Sequence, residues 1–109
     1  MLNTEIIATI AEGAITATRE NPGSARQITG IDIISHRKIT LPESGETAKR
    51  SLVRIFVGAP SFYLFIESTA DRGFVGFAPH VSGDGPLATQ TTAAYAISSA
   101  FEELARLGK

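Results

Sequence analysis

Ser51-Leu52-Val53-Arg54-Ile55-Phe56-Val57-Gly58, Ser61-Phe62-Tyr63-Leu64-Phe65-Ile66-Glu67 and Phe74-Val75-Gly76-Phe77-Ala78-Pro79 are three short apolar runs. They are separated by Ala59-Pro60 and by the polar stretch Ser68-Thr69-Ala70-Asp71-Arg72-Gly73. In the first run Val53, Ile55 and Val57 fall on one face and Leu52, Arg54 and Phe56 on the other, the period-two alternation of a strand. In the second, Phe62, Leu64 and Ile66 oppose Tyr63 and Phe65, so both faces are apolar. Three such runs joined by short turns predict an antiparallel meander. The turn residues Ser82-Gly83-Asp84-Gly85-Pro86 close it.

Upstream, Gln27–Leu41 is rich in isoleucine and threonine, which favour a pleated strand. Its phase slips: Ile31 and Ile33 share a face, Ile34 falls on the other, and Ile39 and Leu41 return to the first. A bulge or bend near Ser35 accounts for the slip. Pro42-Glu43-Ser44-Gly45-Glu46 supplies the turn into the next strand.

Helices are predicted at both ends. Leu2, Ile6, Ile10, Ala14 and Ala17 form an amphipathic stripe that ends near Arg19, before Asn21-Pro22-Gly23, with Asn3 or Thr4 as its cap. Gly13 interrupts the stripe at a cost of about 1 kcal/mol relative to alanine, read mainly as tolerated and alternatively as a close backbone approach. At the other end Ala93, Ile97, Ala100 and Leu104 form a row widened by Ala94, Phe101 and Leu107, with Gly108 as stop. Thr89, Thr91 and Thr92 offer caps for that helix, and Ser82 or Asp84 is expected to cap the turn into it. The expected fold is a single α+β domain over residues 1–109. It has two layers: an N-terminal helix, a four-stranded, mainly antiparallel meander, and a C-terminal helix packed on one sheet face.

The composition narrows the function classes. With 109 residues, one hydrophobic core is expected. An apolar fraction of 43% excludes a wholly disordered chain. No apolar stretch approaches the roughly 18 to 20 residues of a membrane span, and the N-terminus lacks the order of a secretory signal. A soluble, cytoplasmic protein without membrane partners is expected. The absence of cysteine excludes disulfide scaffolds, thiolate zinc sites and cysteine nucleophiles. Ten basic residues against eleven acidic give a net charge of −1, so no global field draws the chain to nucleic acid.

If the helices cover the face bearing Val53, Ile55 and Val57, Leu52 and Phe56 face outward with Tyr63 and Phe65, or else with Phe62 and Leu64. A sheet covered on one side normally alternates more cleanly than this. The expected explanation is a cover of the outer face by a second copy, by a different protein, or by the bent first strand. Leu52, Phe56, Tyr63 and Phe65 are therefore the candidate partner-binding residues.

Ile55-Phe56-Val57-Gly58 resembles the second ribonucleoprotein strand of RNA-recognition motifs, and Arg72-Gly73-Phe74 resembles the start of the first, whose aromatics stack on bases. The resemblance covers seven residues and fails at Val75 and Gly76, where a small residue and an aromatic are wanted. The two segments also lie too close together for the intervening helix and strand. The helix–meander–helix order is that of double-stranded-RNA-binding domains, but Thr89–Ala94 lacks the phosphate-gripping lysines of that fold. Nucleic acid is thus disfavoured.

The basic residues nonetheless cluster: Arg37, Lys38, Lys49, Arg50 and Arg54 are half of the total, opposed locally by Glu43 and Glu46. They read first as a solvated hairpin guarding its edge, and second as a contact for an anionic partner, nucleic acid included. His80, alternating with Ser82 and Asp84, tempts a hydrolase reading that the lack of a nucleophile elbow opposes. An anion site at the glycine loop 82–86, aided by His80 or Arg72, is the better functional alternative. His36 sits among cations that repel a metal, and two histidines with 43 residues between them make no metal site. No catalytic residue, metal or cofactor is expected. In size and composition the chain looks like small bacterial inhibitors, immunity proteins, secretion adaptors and phage-encoded modulators. The expectation is a non-enzymatic protein–protein interaction module that forms a homodimer or binds a different protein.

Overall fold

The computed structural model describes residues 2–109, the side chain of Leu2 excepted, so that residue's place in the N-terminal stripe lies outside the described residues. The chain runs α1 (Leu2–Glu20), β1 (Gly30–Thr40), β2 (Thr47–Phe56), β3 (Ser61–Thr69), β4 (Gly73–His80) and α2 (Ala93–Arg106). The strands form one antiparallel sheet in the order β1-β2-β3-β4. This is the two-layer α+β arrangement that the alternation predicts. Among the described residues no helix is long and apolar enough to cross a membrane.

The core lies between the sheet and both helices. Val53, Ile55 and Val57 of β2 and its following turn, Phe62, Leu64 and Ile66 of β3 and Phe77 of β4 are all buried. They meet Ile6, Ile10 and Ala17 of α1 and Ala93, Ala96, Ile97, Ala100, Phe101 and Leu104 of α2. Phe62 and Phe101 pack edge to face, ring centroids 6.1 Å apart at 88°, the arrangement that sets a positive ring edge on a negative ring face. Ala96 belongs to this core although the sequence row omits it, because α2 buries a face wider than a single stripe.

The register on β1 shifts between Ile33 and Ser35, which makes Ile34 the extra residue of a bulge. The isoleucine phase slip has this cause. Ile34 points its side chain to solvent at 50% exposure. A second shift lies at Glu67/Ser68 opposite Val75. The two sheet edges differ. Along β4, Phe77 and Gln90 exchange both backbone hydrogen bonds and Leu87 donates to the Pro79 carbonyl, so residues 87–90 close that edge. Along β1 the sheet ends.

The helix termini correct the sequence reading. α1 begins at Leu2, so Asn3 and Thr4 are inside its first turn rather than capping it. Asn3 instead meets the His36 ring, Oδ1 to Nε2 at 2.9 Å. α2 is capped by Thr92, whose hydroxyl accepts from the Tyr95 amide. Ser82 and Asp84 do not cap it, because residues 87–90 first run along β4. The far end closes with Gly108 at φ 72°. Its amide bonds the Ala105 carbonyl and the Lys109 amide bonds that of Leu104, the paired bonds of a glycine helix stop.

Gly13 proves to be a close approach. A Cβ there would stand 2.9 Å from the Ala93 Cβ and 3.1 Å from the backbone of Ala93 and Ala94. The start of α2 therefore rests directly on the backbone of α1.

Candidate functional site

The face of the sheet opposite the helices is the surface on which the candidate partner residues meet. With even positions of β2 outward, Leu52 stands opposite Phe65, Arg54 opposite Tyr63, and Phe65 and Tyr63 opposite Ala78 and His80. The register thus selects Tyr63 and Phe65 over Phe62 and Leu64, which are core. Leu52, Phe56 and Phe65 are half-buried and Tyr63 is exposed. The shielding comes from neighbours on the same face. The Arg54 guanidinium lies 4.8 Å from the Phe56 ring centroid and 5.7 Å from that of Tyr63, distances at which a cation is attracted to the ring faces. Its Nε donates to the Ser61 hydroxyl at 3.0 Å, which fixes the guanidinium over the rings. Phe65 and His80 stack with centroids 6.4 Å apart. Of the covers expected for this face, the bent first strand is not one, since β1 remains in the sheet.

Beside Phe65 the face deepens into a groove of about 680 Å³. Phe65, Val75, Gly76 and Ala78 contribute to its lining from the sheet, Leu41–Ser44 from the β1–β2 turn, and Pro86, Leu87 and Thr89 from the segment beyond β4. Gly76 keeps the floor low: a Cβ there would come within 3.2 Å of both the Glu67 carboxylate and the Thr89 methyl. Two ion pairs border the groove, Arg50–Glu67 at 2.8 Å and Arg72–Glu46 at 2.6 Å. The sequence alternation finds the aromatic part of this surface but not the groove, whose walls come from two turns far apart in the chain.

The basic residues do not form one patch. Arg37 pairs across the sheet with Arg50, and both lie on the outer face with Arg54. Lys38 and Lys49 pair with each other and fall on the opposite face. The bulge at Ile34 does not separate adjacent residues; ordinary pleating does, since Arg37 and Lys38 are neighbours in an extended strand. Arg50 is neutralised by Glu67, whereas Arg54 has no carboxylate partner among the described residues.

His80, Ser82 and Asp84 do not assemble as a triad. His80 lies against Phe65, and the Ser82 hydroxyl accepts from the Asp84 amide at 3.4 Å. The glycine loop is not at a helix start, because α2 opens at Ala93, so it gains nothing from a helix dipole. His36 bridges two elements, its Nδ1 2.7 Å from the Ser51 hydroxyl and its Nε2 at Asn3. Among the described residues no group of three potential ligands is placed to hold a metal ion.

Comparison of the chain with protein-family models, with curated proteins and with solved structures finds no match.

Proposed function

We propose that this chain is a small non-enzymatic binding module of the inhibitor, immunity or adaptor kind, working in the cytoplasm and docking a partner protein on the open face of its sheet. One observation carries the reading: Leu52, Phe56, Tyr63 and Phe65 converge on the face opposite both helices, where no strand or helix of the described chain covers them. Aromatic side chains and arginine are the residues that dominate binding energy when a partner excludes water from them. Arg54 is held over two rings without a carboxylate of its own. The fitting partner therefore presents an apolar anchor to the groove beside Phe65 and a carboxylate to Arg54.

Affinity capture from the host, with Phe56→Asp, Tyr63→Asp and Phe65→Asp beside a control on the far side of the molecule, Tyr95→Asp, tests this. The unaltered chain and Tyr95→Asp retain the same protein, and the three sheet variants lose it while keeping the far-ultraviolet circular dichroism of the fold. Retention by all the variants overturns the proposal. So does unfolding of all three, which assigns those rings to the structural core.

Single-stranded nucleic acid on the same face is the second reading. It is favoured by the stacked Phe65–His80 pair and by Arg54 over Phe56 and Tyr63, since aromatic and guanidinium planes are platforms for bases. It predicts oligonucleotide binding that weakens steeply with salt and is lost in Arg54→Ala. An absence of binding at low salt removes it.

A further inference from the structure

The free edge of β1 is self-complementary, and we propose that it pairs with the β1 edge of a second copy of this chain, antiparallel about a two-fold axis between Ile34 and Ser35. Three observations lead there. First, β1 is eleven residues long and among the described residues its outer side pairs with nothing, while residues 87–90 bond the β4 edge at Phe77 and Pro79. An edge strand directs a row of unpaired amide and carbonyl groups away from its sheet. Second, Ile34 of this edge leaves its side chain in solvent at 50% exposure, as Ile7 of α1 does at 46%. Ile7 stands one turn beyond Asn3, which touches His36 of β1.

The third observation is the charge pattern. Asp32 pairs with Arg54 and Arg37 with Arg50 across the β1–β2 ladder, so both lie on the outer face. Residues five apart in an uninterrupted strand lie on opposite faces; the bulge at Ile34 is what brings these two to the same one. Placing the axis between Ile34 and Ser35 sets Asp32 of each copy against Arg37 of the other. On the helix side the same register sets Ile31 against Lys38, whose methylene stem can cover it. No other residue pairing about the bulge both keeps faces matched and neutralises the two arginines. Neither Asp32 nor Arg37 has an ion-pair partner within the described chain. Cations on an edge repel registers that set cation against cation, and here Asp32 leaves one register permitted.

The contact runs along the backbone edge of β1, with Asp32 and Arg37 reaching it from the open face beside Arg54 and Arg50, so the test changes those two residues alone. Native mass spectrometry of the unaltered protein, Asp32→Arg, Arg37→Asp and the double exchange decides the matter, with circular dichroism as the check of folding. The unaltered protein is dimeric. Each single variant weakens the dimer at least about tenfold, because two like-charge contacts replace two attractive ones. The double exchange restores it. An equimolar mixture of the two single variants forms a heterodimer, since the Asp32→Arg chain carries arginine at both positions and the Arg37→Asp chain carries aspartate at both. A monomeric unaltered protein, single variants that stay dimeric, or a mixture that fails to pair overturns the proposal.

Discussion

Gly13→Ala tests the helix–helix seat most directly, because two effects of known size act in opposite directions. In an exposed helix the change is stabilising by about 1 kcal/mol, through backbone entropy. At this position the added Cβ would come 2.9 Å from the Ala93 Cβ and 3.1 Å from two backbone atoms. None of these is the end of a flexible side chain, so α2 must move off α1. Overpacking of this kind costs about 1–3 kcal/mol. Clash outweighs propensity, and the variant should be less stable by about 1 kcal/mol net, a fall in melting temperature of about 4 °C for a chain this size. Urea unfolding followed by circular dichroism gives the value. Ala11→Gly, at an exposed position of the same helix, measures the propensity contribution in place. In an Ala93→Gly background the cost of Gly13→Ala should shrink, since the shortest contact is gone. A Gly13→Ala protein more stable than the parent would refute the reasoning and leave Gly13 merely tolerated.

Phe62→Ala and Phe101→Ala each remove a ring that is 1% exposed, and urea titration should show losses of about 3–5 kcal/mol. A loss below about 1 kcal/mol would show that the edge-to-face pair is not packed as described. The Glu103 carboxyl is held below its ordinary value by the hydrogen bond from Arg106, against an opposing effect of desolvation, with the charge of Arg106 adding to the lowering. The contribution is present at neutral pH and is lost as pH falls through the lowered folded value. A carbon-13 titration should place the Glu103 midpoint below that of an unpaired glutamate and return it upward in Arg106→Gln; identical midpoints would contradict the pairing.

What the sequence reveals of this fold follows from how local each cause is. Val53, Ile55 and Val57 alternate because one face of β2 meets the core, and Ile34 disturbs the β1 pattern because a bulge shifts every later side chain by one face. Both causes act within a strand and leave a periodic trace. The reason for Gly13 lies some eighty positions away, at Ala93, and leaves none. Residues 87–90 close an edge with three backbone hydrogen bonds and no side-chain alternation, so Ser82 and Asp84 read wrongly as caps of α2. For the candidate site, the outward direction of Leu52 and Phe56 is legible. Which face of β3 joins them is not, since both of its faces are apolar and only the pairing Leu52–Phe65 decides. The split of the basic residues similarly needs the register, which sends Arg37 and Lys38 to opposite sides.

The closure of β4 by residues 87–90 has a consequence for assembly. A sheet open at both edges can be lengthened without limit, each added strand exposing a fresh template, and this is how edge pairing grows into fibres. Here residues 87–90 occupy the β4 margin at Phe77 and Pro79, whereas among the described residues nothing pairs with the outer side of β1. A second copy joined through β1 carries its own residues 87–90 along the far margin of the doubled sheet, so growth by copies stops at one addition.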